Sequence, residues 1–331
     1  MVAEIRKRTT ASVLKAREAL VASNGDMEKA LEWLDNDRIS GGEQKAQKVG
    51  KRFTGEGLIG VSVVTRGSSS GAGMVPQGTR AAMIELNCET DYVGTNELFR
   101  KLAQDLAFTV AYLGETSRSS PFMTPMDISY IQNAPLIRRD VDNTITKPVT
   151  VAEAIRDLIY ACSENITFRR AVSFVHDMIP MVSGVGLRAA SYVHGALPNS
   201  NPSSQVSAVI EAQGRIGALA AVGLRTAPES RLSELFKDPA FERDLQVMER
   251  GLSRQIAGMS PLSIRDGPNA LYDQSFDLLG TAAYAGQPVD QVLENWSQER
   301  NMVSGNTSTG LDVLEFVRWE VGGWSDEENL S

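Results

Sequence analysis

The chain has 331 residues, enough for two or three compact units that each bury a core. Its 42% hydrophobic and 22% charged residues fit a soluble globular protein, and its net charge of −8 argues against a phosphate-binding surface, because nucleic-acid binders carry a basic excess. Cys88 and Cys162 are the two cysteines and His176 and His194 the two histidines; neither pair has metal-ligand spacing, so no metal or cofactor is expected.

Residues 2–38 read as three short helices. Val2 and Ile5 start the first. Ser12 caps the second, whose apolar Val13, Leu14, Leu20 and Val21 precede a stop at Asn24-Gly25. Asp26 caps the third, where Met27, Ala30, Leu31 and Leu34 fall at i, i+3, i+4 and i+7. The first eight residues already form an amphipathic helix, unlike a Ser- and Arg-rich transit peptide, so a targeting segment is expected to be absent or removed. The polar stretch 40–48, with Gly41-Gly42, reads as a linker.

A strand over 58–64 then pairs with one over 81–88, with 66–78 as the hairpin tip. A helix follows from near Thr95, with Glu97 in its first turn where the dipole favours an anion. Leu98, Leu102, Leu106 and Val110 recur every four residues and, with Phe99 and Ala103, are expected to pack it on the sheet. Residues 117–148 carry four prolines and little periodicity, so they read as a long loop or short irregular helices. A helix over 151–162 leads into a third strand over 166–174.

The second half begins near His176. One strand ends in Ser191-Tyr192-Val193-His194-Gly195 and another spans 216–222, with an inserted-looking segment, 198–214, between them. Asp238 caps a helix with Pro239 at its first position, and Phe241, Leu245, Met248, Leu252 and Ile256 form its apolar stripe. A helix over 289–298 precedes a closing strand over 311–321, where Val313, Val317, Trp319 and Val321 alternate apart from the polar Glu315. The fold class is therefore α+β: a helical module (1–39), a linker (40–54) and two core subdomains of antiparallel sheet and helices (55–175 and 176–331). No apolar run approaches the ~20 residues a membrane-spanning helix needs.

Four residues stand out as a candidate site. Thr90-Asp91-Tyr92-Val93 places a carboxylate beside an aromatic ring at a strand-to-helix junction. Such a pair serves as a rigid probe, the ring supplying area and the carboxylate competing for a cation or for N–H groups of a partner. The plainer alternative is a half-buried tyrosine beside a helix-capping aspartate. Elsewhere, Gly184-Val185-Gly186 mimics a dinucleotide fingerprint but leads into a strand and lacks the acidic residue such a site needs. A Rossmann-type enzyme is disfavoured on the same ground. His194 has no Ser, Cys or Asp constellation, and reads as an interface or hydrogen-bonded core residue. Arg169-Arg170 reads as an ion-paired stretch of strand.

The string Asn87-Cys88-Glu89-Thr90-Asp91-Tyr92-Val93, followed by Asn96-Glu97 and Phe99, closely resembles the signature of elongation factor Ts, the nucleotide-exchange partner of elongation factor Tu. Five further stretches follow that family's order. They are Val2-Ala3-Glu4-Ile5-Arg6-Lys7-Arg8-Thr9 with Ala19-Leu20 and Asn24-Gly25-Asp26, then Gly55-Glu56-Gly57-Leu58-Ile59, Glu164-Asn165-Ile166-Thr167-Phe168-Arg169-Arg170, Ser191-Tyr192-Val193-His194-Gly195, and Phe316-Val317-Arg318-Trp319-Glu320-Val321-Gly322. The departures are Tyr92 where the family has Phe, Gly94-Thr95 where it has Ala and a basic residue, Thr10-Ala11-Ser12 for a Gly-Ala-Gly turn, and Val13-Leu14 where Met is common. The long 66–78 and 198–214 segments resemble a mitochondrial form, which implies the mitochondrial matrix, with the bacterial cytoplasm as the alternative.

The resemblance implies a ubiquitin-associated-type (UBA-like) N-terminal module and guanine-nucleotide exchange on elongation factor Tu, without enzymatic chemistry, direct nucleic-acid contact or membrane contact. It implies that Thr90, Asp91, Tyr92 and Val93 enter the partner's G domain and disturb its Mg²⁺. Val13 and Leu14 would hold the far side of that domain, and His194 would be a secondary contact. The alternative is a ubiquitin-binding adaptor working through residues 2–38 alone.

Overall fold

The computed structural model describes residues 1–9, 11–68, 78–116, 121–138, 148–180, 184–195, 209–227, 232–279, 284–303 and 310–323. The expected hairpin tip and inserted segment lie largely outside the described residues, at 69–77 and 196–208.

The N-terminal module is α1 (Val2–Arg8), α2 (Val13–Ala22) and the first half of α3 (Met27–Val49). Ser12 Oγ accepts the Lys15 N–H to start α2, and the Asp26 carboxylate accepts from Glu28 and Lys29 to start α3. The small core is Ile5, Ala16, Ala19, Ala30 and Leu34. Contrary to expectation, 40–48 is no linker: α3 runs unbroken to Val49 and docks on α7 (Val151–Cys162). The Gly41-Gly42 pair that suggested a break lets the helices approach, since a Cβ at Gly41 would stand 2.7 Å from the Tyr160 ring. Polar contacts line the seam: Tyr160 Oη donates to Asp37 (3.0 Å), Arg38 to Asp157 (3.0 Å), and Lys45 Nζ to the Tyr160 carbonyl (2.7 Å). Tertiary contact here overrides the poor helix propensity of glycine, which is about 1 kcal/mol per residue.

The core begins with β1 (Glu56–Arg66) and β2 (Thr79–Cys88), paired antiparallel with Gly57 opposite Asn87. A short helix α4 (Asp91–Thr95) and the long α5 (Glu97–Leu113) follow, then β3 (Met123–Pro125), α6 (Ile128–Asn133), α7 and β4 (Ile166–His176). The second half supplies β5 (Val185–His194), β6 (Ile210–Gly214), β7 (Ile216–Arg225), α8 (Leu232–Leu235), α9 (Pro239–Met259), α10 (Val289–Glu299) and β8 (Gly310–Glu320). One sheet has the order β3-β4-β2-β1-β6 and the other β5-β7-β8. The segment 210–214, expected to be inserted, is thus an edge strand, and it belongs to the first sheet although it lies in the second half of the chain.

The layers are helix, sheet, sheet, helix. Helices α5 and α7 cover the outer face of the first sheet through Phe99, Leu106, Val110, Ile155 and Leu158. Helices α9 and α10 cover the second through Leu245, Leu252, Ile256, Val292 and Trp296. Between the sheets lie Ile59, Val61, Met83 and Phe174 against Leu187, Ala189, Leu219 and Ala221. Leu98 departs from the expected stripe and is 54% exposed. A four-residue spacing walks about 40° round a helix per step, so Leu98 and Val110 cannot face one sheet together.

Two buried charge clusters, one round Glu85 and one round Arg188, tie the layers. Glu85 on β2 is fully buried and accepts from Arg170 (2.6 Å), Arg169 (3.3 Å), Asn87 (3.1 Å) and the backbone N–H of Gly322 just after β8 (2.8 Å). The ion-paired reading of Arg169-Arg170 is therefore what the structure shows. Arg188 on β5, also fully buried, pairs with Glu249 and Glu242 of α9 and donates to the Ser68 carbonyl at the end of β1. Lone buried charges are strongly unfavourable, so these clusters hold the layers in one arrangement.

Candidate functional site

The site grows out of the end of β2. Gly57 sits opposite Asn87 with φ +148°, and a Cβ there would lie 2.2 Å from the Leu86 carbonyl oxygen; only glycine lets β1 pass this close. Gly94 of α4 stacks over Gly57, so the first turn after the strand is pressed against the sheet. Val93 and Cys88 are buried beneath it. Burial pushes the Cys88 thiol up to about 12, and its Sγ donates to the Thr90 carbonyl at 3.1 Å, which makes it an inert packing group.

The helix expected from near Thr95 is α5, and a separate short helix, α4, precedes it. Thr90 caps α4 by accepting the Val93 N–H, and Asn96 ends α4 and caps α5 by accepting the Leu98 N–H at 2.8 Å. The cap is thus Thr90, which frees Asp91 from the capping role of the plainer reading. Tyr92 is 77% exposed, where that reading required it half buried. Asp91 is exposed beside it, and Thr95 Oγ1 donates back to the Tyr92 carbonyl at 3.0 Å. The result is a short, pinned corner with an acid and a ring pointing outward and Val93 as its apolar root.

The turn between α7 and β4 holds this corner from outside. The Glu164 carboxylate accepts from both the Thr90 N–H (3.1 Å) and the Thr90 hydroxyl (2.7 Å). Glu89 accepts from the Asn165 N–H (2.6 Å) and from Arg52 (3.4 Å), and Asn165 donates to the Arg52 carbonyl (2.8 Å). Sequence reasoning missed Glu164, Glu89 and Gly57. The signal was present, because Glu164 opens one of the family-like stretches and Glu89 lies within another, but nothing in one dimension says that the two meet.

The remaining expected contacts lie on other elements. Val13 and Leu14 are in the first turn of α2 and are 49% and 66% exposed, with Val21 77% exposed on the same helix. His194 is the exposed last residue of β5, opposite Ile216. Gly184 precedes β5, so Gly184-Val185-Gly186 opens a strand and not a phosphate-binding helix. Among the described residues no group of three His, Cys, Asp or Glu side chains is placed to hold a metal, and no helix is long and apolar enough to cross a membrane.

No family model matches the chain. Individual proteins do. It is 39% identical to mitochondrial elongation factor Ts of Laccaria bicolor over 99% of its own length and 92% of that relative's. It is 41% identical to the same factor of Coprinopsis cinerea, over 97% and 90% of the two chains, and 38% identical to mitochondrial elongation factor Ts 1 of Postia placenta, over 90% and 99%. Identity at this level across nearly the whole of both sequences leaves no part of the fold unaccounted for, and the chain belongs to the elongation factor Ts family.

Proposed function

We propose that this chain binds elongation factor Tu in the mitochondrial matrix and speeds release of its GDP, with the Thr90–Val93 corner as the part that enters the G domain. The observation that carries the reading is the exposed Asp91–Tyr92 pair on a turn whose other residues are pinned or buried. A pre-held corner loses little conformational freedom on insertion, so most of the area Tyr92 covers counts towards binding. Asp91 brings a carboxylate to the neighbourhood of the Mg²⁺ that bridges protein and phosphates. Displacing that cation removes the largest local positive charge on the GDP phosphates, and the nucleotide leaves faster.

Val13 and Leu14 supply an apolar contact on the helical module, and His194 a further one at the end of the second sheet. No bond in the nucleotide is broken, so the chain is an exchange factor and not an enzyme. By linkage, the factor by which it weakens GDP is the factor by which GDP weakens it. The test is the off-rate of a fluorescent GDP analogue from the cognate elongation factor Tu. Sub-stoichiometric amounts of the chain should raise it; an unchanged off-rate would overturn the proposal.

A further inference from the structure

We infer that Glu164 is a positioning residue for nucleotide exchange, acting through Thr90 on the Asp91–Tyr92 probe. The inference rests on the exchange reading above and adds to it the residue that aims the probe.

A helix of five residues does not hold itself, because the first turn fixes several backbone angles for a single hydrogen bond. The shape of α4 must come from outside its own length. Its root is buried through Val93, but Asp91 and Tyr92 are exposed, so packing does not fix the direction in which they leave the sheet. That direction is set at Thr90. The Thr90 carbonyl accepts from Gly94 N–H (3.1 Å) and from Cys88 Sγ (3.1 Å), and the Thr90 N–H and hydroxyl both end on the Glu164 carboxylate. Each backbone and side-chain polar group of that residue has a partner.

Glu164 also settles the cap. A hydroxyl has one proton, and here it goes to the carboxylate at 2.7 Å. The lone pairs of Thr90 Oγ1 are then left for the Val93 N–H at 3.4 Å, a long bond that a reoriented hydroxyl would lose. Glu164 itself stands on the turn after Ser163, which ends α7 in the left-handed region at φ +60°, and the next residue, Asn165, is tied to Glu89 and Arg52. The clamp is therefore anchored on both sides. It comes from an element 74 residues away in sequence and touches neither Asp91 nor Tyr92 among the described hydrogen bonds.

The experiment is GDP release from cognate elongation factor Tu, measured across factor concentration, for wild type, Glu164→Ala, Glu164→Gln, Tyr92→Ala and Glu164→Ala combined with Tyr92→Ala. Loss of two hydrogen bonds to a carboxylate should lower the saturating exchange rate by about tenfold in Glu164→Ala. Glu164→Gln keeps an acceptor for the Thr90 N–H but sets an N–H against the hydroxyl oxygen that caps α4, so it should recover only part of that rate. In the Tyr92→Ala background, removing Glu164 should cost little, because the group it aims is already gone. An equal loss with and without Tyr92, or a glutamine variant no better than alanine, would overturn the inference. So would a loss of rate matched by a fall in melting temperature, since a merely structural Glu164 would act through the fold. If Tyr92→Ala exchanges as fast as wild type, the corner is not the probe and the inference falls with it; if wild type itself leaves the off-rate unchanged, the exchange reading fails, and that outcome is separate from the others.

Discussion

Replacing Tyr92 by alanine separates a partner-facing probe from a piece of the core. At 77% exposure, Tyr92 leaves roughly 150 Å² of side chain free to be covered by a partner. At about 25 cal/mol per Å² the gross gain on covering it is about 4 kcal/mol, of which truncations of interface aromatics typically reveal on the order of 2 kcal/mol. Exchange should therefore fall by about 30-fold. The part already covered in the free protein is only about 50 Å², worth about 1 kcal/mol, so the melting temperature should fall by no more than about 2–4 °C. The assay is GDP release across a Mg²⁺ titration with wild type, variant and no factor. Cation displacement makes the factor and Mg²⁺ opponents, so the variant should lose most of its effect at high Mg²⁺ and little under chelation, where the ion is already gone. Parallel curves that differ by a constant factor would refute displacement of the cation, and a drop in melting temperature well beyond that range would show that the ring supports the fold.

Gly94→Ala should be accepted and should raise stability by about 0.5–1 kcal/mol, because its Cβ would meet Cys88 Sγ at an ordinary 3.6 Å inside a helix, whereas Gly57→Ala, 2.2 Å from a carbonyl oxygen, should destabilise strongly; thermal melts of both test this. A chain truncated to begin at Ser40 should keep its core, because it retains the half of α3 that docks on α7, and should bind elongation factor Tu more weakly, while one beginning at Gly50 should be the less stable of the two, because it loses buried Val49 and the Lys45 contact with Tyr160; unchanged affinity in the first would favour the ubiquitin-binding alternative. The Cys88 thiol, held up to about 12 by burial against an ordinary 9.0, stabilises the fold fully below pH 9 and progressively less as pH rises from there towards about 12, so a Cys88→Ser chain should show a shallower loss of stability over that range in denaturant titrations.

Most of the architecture was legible in one dimension because it follows from period and punctuation. The stripe from Phe241 to Ile256 behind Asp238-Pro239 became α9, and the strand expected to end at Cys88 became β2. Failures came where contacts distant in sequence decide local shape. Gly41-Gly42 looked like a break because the Tyr160 ring that needs the space is more than a hundred residues on. The 210–214 segment looked inserted because its partner, β1, belongs to the other half of the chain. At the site, the acid–aromatic pair was visible from residue types and the start of α5 was read to within two residues, whereas the short helix α4 that carries the pair was not. The clamp from Glu164 could not be read, since a carboxylate beside Asn165 has no local signature of what it will hold.

The Glu85 cluster sets the order in which the molecule can be completed. Its carboxylate, in the second strand made by the ribosome, waits for the Gly322 amide 237 residues later. The first sheet likewise waits for its edge strand from the second half. Neither half can close as an autonomous unit while the chain is still emerging, and contacts of such span slow folding because the loop must close before the contact forms. A chain terminated a few residues early, just short of Gly322, would leave a charged group in the first sheet without one of its donors, so damage at the far end would be felt on the strand that leads into the Thr90–Val93 corner.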